Sequence, residues 1–141
     1  MGGDPGHRWK ADVYFEQGNQ KVALEIQHSY QHYREYQKRQ VRYMTSGVLC
    51  YWVLYKKRFV TLSKSIAKDR LRNEFRGEWP SDPDTVKGLG QHAAIPVVWL
   101  DPEDSQPIKA QGAFASDINH WLRSLLTGDF NYQRDGWRIR K

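Results

Sequence analysis

The chain has 141 residues, one domain's worth, and at that length a single core buries roughly 68–70% of the unfolded surface. It is 39% hydrophobic and 27% charged, and an aromatic content of 13%, with six Trp and eight Tyr, excludes long disorder. The 22 Lys and Arg outnumber the 16 Asp and Glu, and the net charge of +6 favours a polyanionic partner, nucleic acid before an anionic membrane, with solubility alone as the bland alternative.

Trp9 to Phe15 alternates as a strand does, and Gln17-Gly18-Asn19-Gln20 is a hairpin turn with Gly where a type II′ turn needs it. Lys21 to Gln27 is the returning strand. Ser29 is placed to cap a helix over Tyr30 to Ser46, stopped by Gly47, with Tyr33, Tyr36, Val41 and Met44 as its apolar stripe. Val48 to Tyr55 is a near-continuous apolar run, the pattern of a strand buried on both faces. Helical spacing returns over Ser63 to Phe75, and 77–90 is a loop rich in Gly, Pro and Asp. A strand over Ile95 to Leu100 is followed by a short edge at Pro107 to Gln111. An amphipathic helix runs from Ser116 to Leu126, and 130–141 is a basic, aromatic tail. The order is that of one α/β domain over 1–141 with a mixed sheet.

The single cysteine, Cys50, excludes an intrachain disulfide and a Cys-based zinc site, and its apolar surroundings predict a buried, inert thiol. No run approaches the ~20 apolar residues that span a bilayer. Met1 to Gly6 lacks an apolar signal segment, so a cytoplasmic location is expected. The first element starts abruptly, as in a domain taken from a longer protein.

Centred on Gly18-Asn19, the hairpin pairs residues whose numbers sum to 37, so Asp12 falls opposite Glu25. Alternation then gives one face Val13, Phe15, Val22, Leu24 and Ile26, the expected core side. The other face takes Lys10, Asp12, Tyr14, Glu25 and Gln27. Like charges directly opposed are destabilising, and a hard divalent cation between the carboxylates would offset that. The plainer alternative is a solvated face, with Lys10 and Lys21 as counter-charges.

Asp12-Val13, followed on the next strand by Glu25-Ile26-Gln27, resembles the PD-(D/E)XK nuclease superfamily, and within it the nuclease domain of competence protein CoiA. The resemblance rests on Arg8-x-x-Ala11-Asp12-Val13 and on Val22 through Ser29. It continues through Arg39-x-x-x-Tyr43-x-x-x-Gly47 and Trp52-Val53-Leu54, and covers residues 7–55. It implies a restriction-endonuclease-like core, a central mixed sheet of hairpin and crossover strands flanked by helices. It also implies Mg²⁺- or Mn²⁺-dependent hydrolysis of DNA, single-stranded DNA included. Asp12, Glu25 and the Ile26 carbonyl would bind the metal, and Gln27 would orient the attacking water in place of the superfamily's usual Lys. Arg8, Lys10, His28, Arg39, Arg42 and Tyr43 would contact nucleic acid. The residues ahead of the hairpin are too few for the helix that opens the superfamily core.

Other groups have weaker patterns. His28 and His32 have a spacing that can hold a metal, though no third partner is evident and a capping or surface role is the plainer reading. Lys56-Lys57-Arg58, Lys64, Lys68, Arg70, Arg72 and Arg76 suit phosphate binding, or simply a solvated helix face. Arg134, Trp137, Arg138, Arg140 and Lys141 read as a nucleic-acid contact or a frayed end. The function expected is therefore a metal-dependent DNA nuclease. The alternatives are a weak or inactive DNA-binding module on the same fold, serving DNA uptake, processing or defence, and a basic interaction domain without a nucleic-acid role. A homodimer and a larger parent protein both stay open, and nothing calls for a membrane.

Overall fold

The computed structural model describes residues 11–133 and 135–140. Strand β1, Val13–Gln17, pairs antiparallel with β2, Gln20–Gln27, in the register Val13↔Leu24 to Gln17↔Gln20. The sum-to-37 pairing therefore holds. Gly18 takes φ +59° while Asn19 is not among the described residues of positive φ, the pattern of a type II′ turn. Trp9 and Lys10 lie outside the described residues.

A crossover through α1, Tyr33–Thr45, leads to β3, Leu49–Tyr55, and a second through α2, Lys56–Asn73, leads to β4, Val97–Leu100. Both crossovers make parallel pairs, β2 with β3 and β3 with β4. Strands β5, Ile108–Ala110, and β6, Phe114–Ser116, extend the sheet antiparallel, giving six strands in the order β1-β2-β3-β4-β5-β6. The α/β class and the mixed, helix-flanked sheet are as expected from sequence.

Several elements differ from expectation. Helix α1 begins at Tyr33, with His32 rather than Ser29 at its N-cap position. Its buried stripe is Tyr36 and Tyr43, while Val41 and Met44 are exposed. Helix α2 begins at Lys56, directly after β3. Its buried residues Phe59, Leu62 and Ile66 form an i, i+3, i+7 stripe that starts ahead of Ser63. Three cations at a helix N-terminus oppose the helix dipole, which is why the sequence signal there was weak. A short helix, α3, Pro83–Lys87, interrupts the 77–90 loop, capped by the Asp82 side chain.

The segment after helix α4, Ile118–Thr127, is no frayed tail. It forms a hairpin of β7, Phe130–Gln133, and β8, Gly136–Ile139, whose Phe130 and Trp137 are buried. The hairpin is clamped to the β5–β6 turn, where the Trp137 N–H donates to the Gln111 carbonyl at 3.0 Å. A Cβ at Gly136 would stand 2.1 Å from that carbonyl oxygen, so only glycine permits the approach.

The sheet is covered on both faces. Ala23, Cys50, Trp52, Leu54 and Val97 pack under α1 and α2. Val22, Leu24, Tyr51, Val53 and Val98 pack under α4 and the β7–β8 hairpin. That second layer stops short of Val13 and Ile26, which are 42% and 43% exposed, so their expected place in the core is corrected. No described helix is long and apolar enough to cross a membrane. Cys50 is free and buried, and burial pushes its thiol pKa up.

Candidate active site

Backbone pairing of the hairpin ends at Val13, one residue after Asp12. Beyond it the Asp12 carboxylate takes over, with Oδ2 accepting the Ile26 N–H at 2.7 Å. In an antiparallel ladder a residue's N–H and C=O point toward the same neighbour. The Ile26 carbonyl therefore points to the Asp12 side as well.

Glu25 stands on the α1 face of β2 and is only 7% exposed, so this face is covered rather than solvated. A buried carboxylate without partners is costly, and α1 supplies two. The Tyr43 hydroxyl donates to Glu25 Oε1, and Arg39 Nη1 lies 3.8 Å from Oε2. Residues four apart share a helix face, so the Arg39–Tyr43 spacing sets both over the same strand. Arg39 also lies over the Trp52 ring, 5.9 Å from its centroid. The Trp52 indole N–H donates to Gln40 Oε1 at 2.8 Å, and the Gln40 amide donates to the Cys50 carbonyl at 3.1 Å. Gln40 and Trp52 thus brace the site, roles not anticipated from sequence, although Gln40 lies on the helix face that Tyr36 and Tyr43 define.

The electrostatics follow from this packing. Burial holds the Glu25 pKa above the ordinary carboxylate value. Tyr43 and Arg39 act against that, and the neighbouring charge of Asp12 adds to it. Burial and the Glu25 carboxylate push the Tyr43 hydroxyl far up, so it remains a donor throughout the working range.

Gln27, two residues on and on the same face, is half-buried, and its amide donates to the Ser29 carbonyl at 3.0 Å. His28 is exposed, with its ring edge-on to Tyr55 at 5.0 Å and its carbonyl accepting from Arg58 Nε at 3.3 Å. The ends of β2 and β3 are thereby joined to the first turn of α2. Arg42 is exposed on α1. Tyr43, expected to face nucleic acid, is instead 2% exposed with its hydroxyl on Glu25. Arg8 and Lys10 lie outside the described residues. His32 meets the Tyr30 hydroxyl at 3.1 Å, and among the described residues no group of three His, Cys, Asp or Glu side chains gathers to hold a metal.

The oxygen donors at this end of the hairpin are two carboxylates and a strand carbonyl. That set fits Mg²⁺, which is commonly held by one or two carboxylates together with waters and substrate phosphate.

The α/β domain thus presents a carboxylate-bearing hairpin braced by a helix. The family model described as competence protein CoiA, nuclease-like domain, matches residues 4–81, more than half of the chain. The chain belongs to that family. No curated protein and no solved structure matches it.

Proposed function

We propose that this domain is a metal-dependent nuclease of the PD-(D/E)XK type that hydrolyses phosphodiester bonds in DNA at the Asp12–Glu25 end of the β1–β2 hairpin. The observation that carries the reading is Glu25, a buried carboxylate engaged on both oxygens by Tyr43 and Arg39 beside a second carboxylate. Membership of a nuclease-like family supports it. Asp12, Glu25 and the Ile26 carbonyl would hold Mg²⁺ or Mn²⁺. Such an ion supplies Lewis acidity toward the phosphate and acidifies a water at neutral pH.

The chain's own residues do the rest. Tyr43 and Arg39 fix the orientation of the Glu25 carboxylate, and Arg39 favours its ionised form. Gln27 is neutral, so it orients water by hydrogen bonding rather than by charge. His28 and Arg42, with Arg8 and Lys10, are the proposed phosphate contacts. A second reading, a DNA-binding module with little or no catalysis, draws on one observation. The Gln27 amide is engaged with the Ser29 carbonyl, a local role that needs no chemistry.

Incubation with single- and double-stranded DNA in Mg²⁺, Mn²⁺ or EDTA separates the two. The nuclease cuts with metal and not with EDTA. Asp12→Ala and Glu25→Ala lower cleavage by about 10³-fold or more, the scale of losing a group aimed at developing charge, while binding in EDTA persists. Gln27→Lys keeps or raises activity if Gln27 only orients water. Salt-dependent binding with no cleavage under any metal establishes the second reading. Cleavage by both alanine variants at the wild-type rate removes the hairpin from consideration.

A further inference from the structure

Helices α1 and α2 part to form a cleft of about 680 Å³, lined by Tyr33 and Arg34 on one side and by Lys68 and Arg72 on the other. Lys68 and Arg72 also line a second hollow of about 450 Å³, where Arg76 joins them. Positions 68 and 72 lie one turn apart on the same face of α2, about 6 Å along its axis, and Arg76 follows just past the helix end. None of Arg34, Lys68, Arg72 and Arg76 makes an ion pair with a described residue. The two acids at the cleft are otherwise engaged: Glu35 lies 3.6 Å from Lys38, and Asp69 accepts from Asn73 at 2.9 Å. Arg70, on the same helix, is the contrast. It is bound to Glu74 and to the Gly88 and Gln91 carbonyls, so its role is structural.

Two further features set this surface apart from an ordinary solvated helix. Beyond the end of α2 the chain turns back, with the Gly77 N–H on the Leu71 carbonyl at 2.7 Å, and Arg76 takes a left-handed conformation at φ +54°. Glycine or asparagine is the usual occupant there, because a side chain in that conformation is strained. Strained residues of this kind cluster at functional positions. Three residues on, Trp79 is 68% exposed, an unusual state for the largest apolar side chain. His32, which lines the cleft, is five residues from Gln27 of the proposed catalytic end, so the two Cα atoms lie within about 18 Å of each other.

We propose that the α1–α2 cleft is a track for single-stranded nucleic acid, with phosphates along Arg34, Lys68, Arg72 and Arg76 and an unpaired base stacked on Trp79. A basic groove with an exposed aromatic platform is the general solution for binding strands without regard to sequence. The inference rests on the nuclease reading for the identity of its ligand.

The test measures binding without catalysis: fluorescence anisotropy of labelled oligo-dT of 20 nucleotides, in EDTA, over a range of salt. Lys68→Ala with Arg72→Ala weakens binding by about tenfold or more and makes the salt slope shallower by about 1.4, two phosphate contacts' worth. Trp79→Ala weakens binding roughly 5- to 100-fold with the salt slope unchanged, as loss of stacking predicts. Arg76→Gly weakens binding while raising Tm by about 2–4 °C, because glycine relieves the left-handed position. A merely structural Arg76 would move Tm alone. Wild-type affinity and slope in the Lys68/Arg72 variant, or unchanged affinity in Trp79→Ala, overturns the proposal. Should these variants bind normally while Glu25→Ala abolishes cleavage, the track is wrong and the nuclease reading stands. Should they bind weakly while no protein cuts DNA, the track stands and the nuclease reading fails.

Discussion

Under α4 and the β7–β8 hairpin the sheet meets aromatic and aliphatic side chains, whereas under α1 the same strands present a carboxylate. On the first face Phe130 stacks on Trp137 at 4.9 Å and 15°, and both close over Tyr51, Val53 and Val98. On the second face the packing of Ala23, Cys50 and Trp52 is interrupted by Glu25 and the two groups that hold it. Apolar area stabilises a fold in proportion to the water it sheds, while a buried charge is tolerated only through its partners. The two faces thus divide the labour, one supplying cohesion and the other keeping a reactive arrangement that cohesion alone would not select.

That division is open to attack from either side. Trp137→Ala removes the stacking partner of Phe130 and is expected to destabilise by about 3–5 kcal/mol, with cleavage per folded molecule unchanged. Thermal unfolding followed beside specific activity checks this, and a loss of activity without a loss of stability would break the division. Tyr43→Phe preserves the ring and leaves Glu25 Oε1 without its donor. It is expected to destabilise by about 1–2 kcal/mol and to lower cleavage by about tenfold.

Glu25→Gln tests the same face by pH. The folded pKa of Glu25 is raised, so its protonated form contributes stability that is full below the unfolded value of about 4.5 and is lost as pH rises through the folded value. The Gln variant, which does not titrate, should therefore gain on wild type as pH goes from 4 to 7, by up to about 3 °C in Tm. A gap independent of pH would show that burial does not oppose the charge. Met44→Gln, at a position 65% exposed, should change stability by less than about 0.5 kcal/mol, in contrast to any truncation of Tyr36 or Tyr43 one layer below.

The hairpin register was legible because Gly18-Asn19 leaves one economical turn, and the turn fixes every pair behind it. The covering of Glu25 was not. Alternation along a strand says which residues share a face, but not whether a helix lies over that face. In β2 the burial runs unbroken from Val22 to Glu25 instead of alternating, the mark of a strand sandwiched on both sides. Val13 and Ile26 were misplaced for the complementary reason, since the layer above them ends before it reaches them. Asp12 and Glu25 could be singled out from spacing alone, but the role of Tyr43 depended on how deeply α1 settles. The β7–β8 hairpin escaped because Asn131, Gln133 and Arg138 dilute its apolar residues, and its stability comes from docking rather than from its own pattern.

The placement of that hairpin also gives the domain a timetable. Translation proceeds at about 5–20 residues per second, and roughly 60 residues separate the end of α2 from Phe130, so the carboxylate-bearing half precedes the hairpin by about 3–12 s. During that interval Leu24, Tyr51 and Val53 lack the cover that Phe130 and Trp137 give them in the finished molecule. The nascent chain therefore passes through a stage in which half of it is assembled and one side of its sheet is still adhesive. A chain clipped before Phe130 would never leave that stage, and what it would lose first is its lifetime in the cell.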